Sequence, residues 1–361
     1  LTLFLLLHPF IYGVTRLWSD PAAYVAALAQ LFTTPAFASG IIAWVGLMVL
    51  MVLALKRTAL ALSYEAWRAS HGFLALVIAL AGWHHAVSVG GLSAAPSLRA
   101  AWLVLAALAA ATLARAYILH PLMQRRRPWR VAEVRALGPG RWLLALETAG
   151  KQLDFRAGQF VWLKLGPHPF TLHENPFSIV SAPQGGRLEF LIREAGDFTS
   201  AIGALTPGTP AWIDGPYGAF TLDAAPRARR IVMLAGGVGL APCLGMLREA
   251  AACGDGRAFH LVFANRTQSQ IVFRDEIAAL ATHLDLRIDF ILSEPPAGWN
   301  GATGQMDGAT LLPLLAGARN NQEETAYFLC GPPPMVGAAT DALAAMGVPP
   351  RNVITEKFDY D

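Results

Sequence analysis

Charge and cysteine are both scarce in this sequence, and each scarcity excludes something. Of 361 residues only 15% are charged, against 54% hydrophobic, where ordinary globular chains carry about 25% charged residues. The formal net charge of +3 gives no basis for nucleic-acid binding. Three cysteines, Cys243, Cys253 and Cys330, are too few for a disulfide framework and fit a reducing compartment. No calcium loop of the D-x-[DN]-x-[DN]-G type occurs, so calcium control within the chain is not expected. There is no initiator Met, and the chain opens inside an apolar run, LTLFLLL. That opening reads as an N-terminally truncated chain, from which nothing about a signal peptide follows.

Apolar surface is what the sequence has in excess. The mean hydropathy is +0.42, and the excess lies before Arg125, while the remainder alternates polar and apolar residues. Length and this shift predict a membrane part followed by two soluble domains of about 100 residues each. The expected boundaries are 1–124 for an α-helical transmembrane bundle, 125–222 for an antiparallel β-barrel and 223–361 for an α/β domain on a parallel sheet. Residues 1–14 read as the tail of a helix, and Pro21–Ala38 as a loop with an amphipathic, interfacial middle. Ser39–Leu55, Tyr64–Val89 and Leu98–Leu119 read as spans. Lys56, Arg57 and Arg68 share one connection and Arg125-Arg126-Arg127 follow the last span. The positive-inside rule therefore places residues 56–68 and everything after 120 in the cytoplasm. The arginine run is either a stop signal or a contact for anionic headgroups.

An imidazole inside an apolar span is costly unless paired or bound to something. His71 and His85 lie 14 residues apart on one helix, within about 40° of the same face and about 21 Å apart along the axis. His84 points about 140° away on an ideal helix, and a modest bulge would bring it round, so His84 and His85 both stand as candidates. His8 is expected at their depth. Two histidines four turns apart on each of two helices make two stacked bis-imidazole haem sites. His8 with His85 would hold an outer haem, and His71 an inner one whose second ligand falls before Leu1. The alternative is that these histidines are structural.

After Arg125 the sequence turns to short strands: WRVAEVRAL, RWLLALET, GQFVWLKL, NPFSIVSA and RLEFLIRE. Asn175-Pro176-Phe177-Ser178 starts a strand able to lay a planar ring against its backbone, leaving a hydroxyl and amides for a phosphate or ring nitrogen. Arg193, fifteen residues beyond Ser178, precedes Phe198-Thr199-Ser200, which open an expected helix, FTSAIGAL. An arginine before a helix N-terminus with local hydroxyls is an anion site.

RIVMLA then runs into Gly236-Gly237-Val238-Gly239-Leu240-Ala241-Pro242 and a helix. Strand, glycine turn and helix N-terminus place backbone N–H groups against a pyrophosphate. The turn is not the GxGxxG fingerprint, but two more strands end in Asn265-Arg266 and Cys330-Gly331-Pro332. Ligands gather at the carboxyl ends of parallel strands. Arg266 is either a surface charge or the grip on a ribose 2′-phosphate, favouring NADPH over NADH. Cys330 is either a small core residue or a neighbour of the nicotinamide. Phe358, at the extreme C-terminus, is an aromatic placed to cover a ring such as a flavin.

With these pieces in order, the chain resembles the NADPH oxidase and ferric reductase superfamily, particularly its bacterial NADPH oxidase-like members. ENPFSIVSAP, IREAGDFTSAI, LAGGVGLAP and LCGPPPM carry the resemblance, which runs from His8 to Phe358. It implies a ferredoxin-reductase-like module after the membrane bundle, with FAD bound through Asn175, Pro176, Phe177, Ser178, Arg193 and Phe198 to Ser200. It implies NADPH at Gly236, Gly237, Val238, Gly239, Pro242, Arg266, Cys330, Gly331 and Pro332, with Phe358 stacked where the nicotinamide enters. Two b-type haems, a bilayer at a bacterial inner membrane, and dioxygen as the acceptor of electrons, giving superoxide, complete what it implies. The rival acceptors are a ferric chelate and a separate periplasmic protein; a further rival is a flavin reductase merely anchored by its helices.

Overall fold

The computed structural model describes residues 2–11, 14–57, 59–89, 95–316 and 324–357, and they fall into two units, Leu1–Met123 and Gln124–Asp361. The first unit is helical. Helices α1 (Thr2–Ile11) and α2 (Thr15–Ser19) precede α3 (Pro21–Thr33). Asp20 caps α3 by accepting from the Ala23 N–H at 3.0 Å, with Pro21 at the first helical position. The expected interfacial loop is thus a helix over most of its length. Next come α4 (Ala38–Leu55), α5 (Tyr64–Ser88) and α6 (Pro96–Ala114). A π-helical turn over Arg115–Leu119 then leads into α7 (His120–Gln124).

Pro35–Leu55, Tyr64–Ser88 and Pro96–Gln124, of 21, 25 and 29 residues, are long and apolar enough to cross a bilayer. Their outer faces stay bare: Leu103 and Leu108 are each 57% exposed, a surface suited to lipid rather than water. Glycines set the close approaches between helices. A Cβ built at Gly46 of α4 would lie 3.1 Å from Ile78 of α5, and one at Gly72 of α5 would lie 2.7 Å from the Tyr117 hydroxyl.

The second unit begins with an antiparallel sheet: β1 (Trp129–Gly138), β2 (Arg141–Glu147), β3 (Phe160–Leu165), β4 (Asn175–Ser178), β5 (Leu188–Arg193) and β6 (Pro210–Tyr217). Their order is β4-β3-β6-β1-β2-β5. The two outer strands meet through the Ile179–Phe190 bridge and the Val180 N–H donated to the Glu189 carbonyl at 2.8 Å, which closes a barrel. Strand β4 is shorter than the expected NPFSIVSA because its partner changes from β3 to β5 after Ser178. The expected FTSAIGAL helix is also shorter, a single turn α8 (Asp197–Ser200) followed by a 3₁₀ turn at Ile202–Ala204.

The remaining strands form one parallel sheet. They are β7 (Arg230–Gly236), β8 (Ala258–Asn265), β9 (Leu286–Leu292), β10 (Ala302–Thr303), β11 (Thr325–Gly331) and β12 (Val353–Lys357), in the order β10-β9-β8-β7-β11-β12. Helices α9 (Leu240–Cys253) and α10 (Arg274–Leu280) cover one face through Leu244, Leu247 and Ile277. Helices α11 (Gly308–Leu314) and α12 (Pro333–Ala345) cover the other through Leu311, Val336 and Leu343. The strand order reverses between β7 and β11, the switch point at which such sheets bind ligands.

Helix α9 also docks on the barrel seam. A Cβ at Gly245 would lie 2.8 Å from the Ile179 carbonyl oxygen. Arg248 donates to the Val180 carbonyl at 3.0 Å, to Glu189 at 2.7 Å and to both oxygens of Glu276 at 2.6 and 3.0 Å.

Candidate functional site

At the start of β4, Asn175 to Ser178 pair with Leu163 to Phe160 of β3. The Phe177 ring stacks on Phe198 with centroids 6.0 Å apart and 24° between planes. Ser178 is buried, and its hydroxyl has no hydrogen-bond partner. A buried orphan hydroxyl beside a pair of flat aromatic faces fits a planar, hydrogen-bonding group such as a flavin. Arg193 ends β5 exposed, directly opposite Arg141 of β2. Burial first, and the neighbouring Arg193 charge second, push the Arg141 guanidinium below its ordinary value. Like charges facing each other across a ladder repel, so an anion between them relieves the pair. Sequence reasoning missed Arg141, because its cross-strand partner appears only once β2 and β5 are paired.

Thr199 is committed to its own loop, its hydroxyl accepting from the Ala195 and Gly196 N–H groups at 2.8 and 3.0 Å. With α8 only four residues long, the expected anion-binding helix N-terminus is not formed there. Ser200 is exposed on that turn, and Pro176 is half-buried on β4.

The glycine turn is fixed by contact with the neighbouring strand. Gly237 holds φ +55°, a left-handed conformation that favours glycine. A Cβ at Gly239 would lie 2.1 Å from the Cys330 carbonyl oxygen, and one at Gly236 2.2 Å from Met335 Sδ. Side chains at these positions would drive the turn off β11. Val238 is half-buried, and Pro242 is buried in the first turn of α9. Gly331 follows Cys330 with φ +158°, and Pro332 caps α12, exposed. The turn, Cys330, Gly331 and Pro332 are therefore together at the switch point.

Cys330 is fully buried. Burial, then Cys243 and Glu356, hold its thiol well above the ordinary thiol range, so it stays neutral. Its register partner on β12 is Glu356, a residue that sequence reasoning passed over in favour of the nearby aromatic. Glu356 Oε2 is buried without a partner, and burial pushes the carboxyl up to about 7. Its other oxygen faces the barrel, 4.0 Å from where a Cβ would stand on Gly218. A proton-holding carboxyl thus sits between the two sheets. Phe358 lies outside the described residues.

At the ends of β8 and β9, Arg266 Nε lies 2.9 Å from Glu294 Oε1, both largely exposed. The Asn265 side-chain amide beneath is buried, with neither polar atom paired.

Helix α5 is continuous, without the bulge entertained for His84. His84 Nδ1 lies 3.0 Å from Ser39 Oγ. The His85 ring instead packs on α4, where a Cβ at Gly40 would lie 2.6 Å from Nδ1. That Nδ1 is buried and unpartnered, while His8 on α1 lies within electrostatic range of it. His71 packs against Trp67, ring centroids 5.3 Å apart. Gly82 has nothing within 4 Å of the place its Cβ would take, and it sits within about 60° of both His71 and His85 around the helix. Open space beside a bare backbone, flanked by two imidazoles on one face, fits a flat macrocycle with axial ligands.

Comparison with known proteins follows the same division. Residues 1–82 match the ferric reductase-like transmembrane component family, residues 130–221 an FAD-binding domain family and residues 233–341 the oxidoreductase NAD-binding domain family. The chain is 33% identical over 238 residues to ferredoxin–NADP reductase B of Sorangium cellulosum, covering 64% of this chain and 96% of that protein. It is 31% identical over 212 residues to the reductase component of propane 2-monooxygenase from Mycolicibacterium goodii, spanning 57% of this chain and only 60% of that relative's length. Among solved structures, the Amycolatopsis cytochrome P450 reductase superposes with a TM-score of 0.56 at 25% identity, over 64% of this chain and 69% of that one.

Proposed function

The chain belongs to the NADPH oxidase and ferric reductase family, and on that premise we propose that it moves electrons from cytoplasmic NADPH across a bacterial inner membrane to dioxygen, giving superoxide. It is an oxidoreductase with FAD- and NAD-binding domains joined to a ferric reductase-like transmembrane part. The observation that carries the fuller reading is the His71–Gly82–His85 face of α5, in the same chain as a reductase module.

Bound FAD supplies the conversion of a hydride's electron pair into single electrons, and two b-type haems supply one-electron carriage through the apolar span. The protein's own residues do the rest. Gly236, Gly237 and Gly239 hold the turn against β11 so that the N-terminal amides of α9 face the NADPH pyrophosphate. Phe177, Phe198 and the Ser178 hydroxyl would hold the flavin, the hydroxyl gaining the partner it lacks. Arg193 and Arg141 hold its phosphates. Arg266 takes the 2′-phosphate once released from Glu294. Cys330 stays neutral beside the nicotinamide, and Glu356 holds a proton near neutral pH at the junction of the two sheets. His71 would hold one haem and His85, with His8, the other, while His84, hydrogen-bonded to Ser39, would be structural.

The test is an anaerobic difference spectrum of purified protein after NADPH is added. Low-spin haem bands are expected, followed in air by superoxide formation that superoxide dismutase suppresses. Flavin bleaching without haem bands overturns the transmembrane reading and leaves an anchored flavin reductase. Haem reduction with ferric chelate consumed and no superoxide replaces dioxygen as acceptor.

A further inference from the structure

Beside His71 there is a polar group that the described residues do not answer. The indole Nε1–H of Trp67 is buried and has no acceptor. Trp67 precedes His71 by four residues, so it lies on the same face of α5, one turn closer to that helix's first residue. Leaving a buried donor unpaired costs about 1–3 kcal/mol, a cost relieved when a ligand brings the acceptor.

The charge beside it says which acceptor fits. The Arg57 guanidinium stands 5.7 Å from the Trp67 ring centroid and 5.4 Å from that of Tyr64. Both rings belong to the first turns of α5, and the two are 5.9 Å apart. The indole that carries the unanswered N–H thus has a guanidinium over its ring and the His71 imidazole packed against it, 5.3 Å away. That set suits a carboxylate, which takes charge-assisted hydrogen bonds from the N–H and the guanidinium. Another arginine, Arg68, is held over Tyr117 at 5.9 Å, and the Tyr117 hydroxyl donates to the Arg68 carbonyl at 3.1 Å. These contacts tie the π-helical turn after α6 to the same end of α5.

We propose that Trp67 Nε1 and the Arg57 guanidinium form a carboxylate subsite that takes a propionate of the haem ligated by His71. The proposal rests on the haem reading above. A haem carries its two carboxylates on one edge, and that edge must leave the apolar span. Trp67 and Arg57 would meet it about one helical turn from His71.

The experiment uses the purified full-length chain and three variants, W67F, R57Q and R57K. Haem content is read from the pyridine haemochromogen, and each haem's reduction is titrated with dithionite against redox dyes, so NADPH turnover is not involved. Losing either partner leaves a propionate charge unneutralised and favours ferric iron. At a fixed potential the ferrous-to-ferric ratio of one haem should fall about tenfold in R57Q, equivalent to about 59 mV for one electron. R57K should restore most of it, and the effects of W67F and R57Q should be less than additive in the double variant, since they share one ligand. Wild-type protein loaded with haem dimethyl ester, whose capped carboxylates carry no charge, should shift the opposite way without any substitution, its ferrous-to-ferric ratio rising because the Arg57 charge is then unbalanced. With the ester, W67F and wild type should coincide.

Variants that titrate on the wild-type curve with full haem content overturn this subsite while leaving the haem reading intact. A W67F difference that persists unchanged with the ester overturns it too. A wild-type chain without low-spin haem overturns the haem reading and this proposal with it.

Discussion

Replacing Glu356 with Gln removes one proton-binding site and should alter how stability depends on pH. Burial raises this carboxyl from 4.5 to about 7. An acid with a raised folded value keeps its proton in the native state over a range where the unfolded chain has released it. Its favourable contribution is complete below pH 4.5 and is lost as pH rises through 7. Worked from those two values, holding Glu356 buried costs the native state about 1 kcal/mol at pH 5 and about 3 kcal/mol at pH 8. Glutamine keeps the shape without the charge, so E356Q escapes the penalty. The assay is urea unfolding of the purified chain in detergent, stripped of nucleotide and followed by tryptophan fluorescence, for wild type and variant from pH 5 to pH 8. The variant's advantage should widen by about 2 kcal/mol across that range. A difference that stays flat, or a variant less stable than wild type at pH 8, refutes the reasoning.

Other substitutions test other parts of the site. Gly239→Ala forces a methyl into the Cys330 carbonyl; it should cost about 1–3 kcal/mol and impair NADPH-driven flavin bleaching, while Gly256→Ala, with open space around it, changes neither. Glu294→Gln frees Arg266 from an exposed ion pair worth about 1 kcal/mol at most, so the ratio of kcat/KM for NADPH over NADH should rise about two- to fivefold in steady-state assays. His85→Leu should remove one haem equivalent from the pyridine haemochromogen, whereas His84→Leu, which loses contacts to Ser39 and Ser88, should retain both.

What could be read in the sequence was whatever repeats over a few residues. The spans, the barrel strands and the β7 turn all declare themselves through periodicity or through glycine after an apolar run. The α3 helix was missed although Asp20-Pro21 is a sound cap and first position, because small apolar residues with sparse charge also suit an interfacial loop. The FTSAIGAL helix fails for the opposite reason: the pattern is helical, but Thr206-Pro207-Gly208 cut it short and the chain re-enters the barrel at Pro210. Pairings between distant segments were invisible. Arg141 against Arg193, Glu356 beside Cys330 and Arg57 over Trp67 each need tertiary structure to become neighbours. The choice between His84 and His85 likewise turns on what α4 presents, a hydroxyl at Ser39 to one and bare backbone at Gly40 to the other.

The barrel seam bears on how the protein is made. Where β4 hands over to β5, the ladder narrows to the Ile179–Phe190 bridge and its neighbouring bond. Gly245 and Arg248 of the nucleotide-binding half press on that same point. A barrel synthesised first is closed by this narrow seam alone, without the clamp on it, until residues about 70 positions downstream emerge. The halves therefore mature as one cooperative unit, and a nascent chain stalled before α9 is the species a chaperone has most reason to hold.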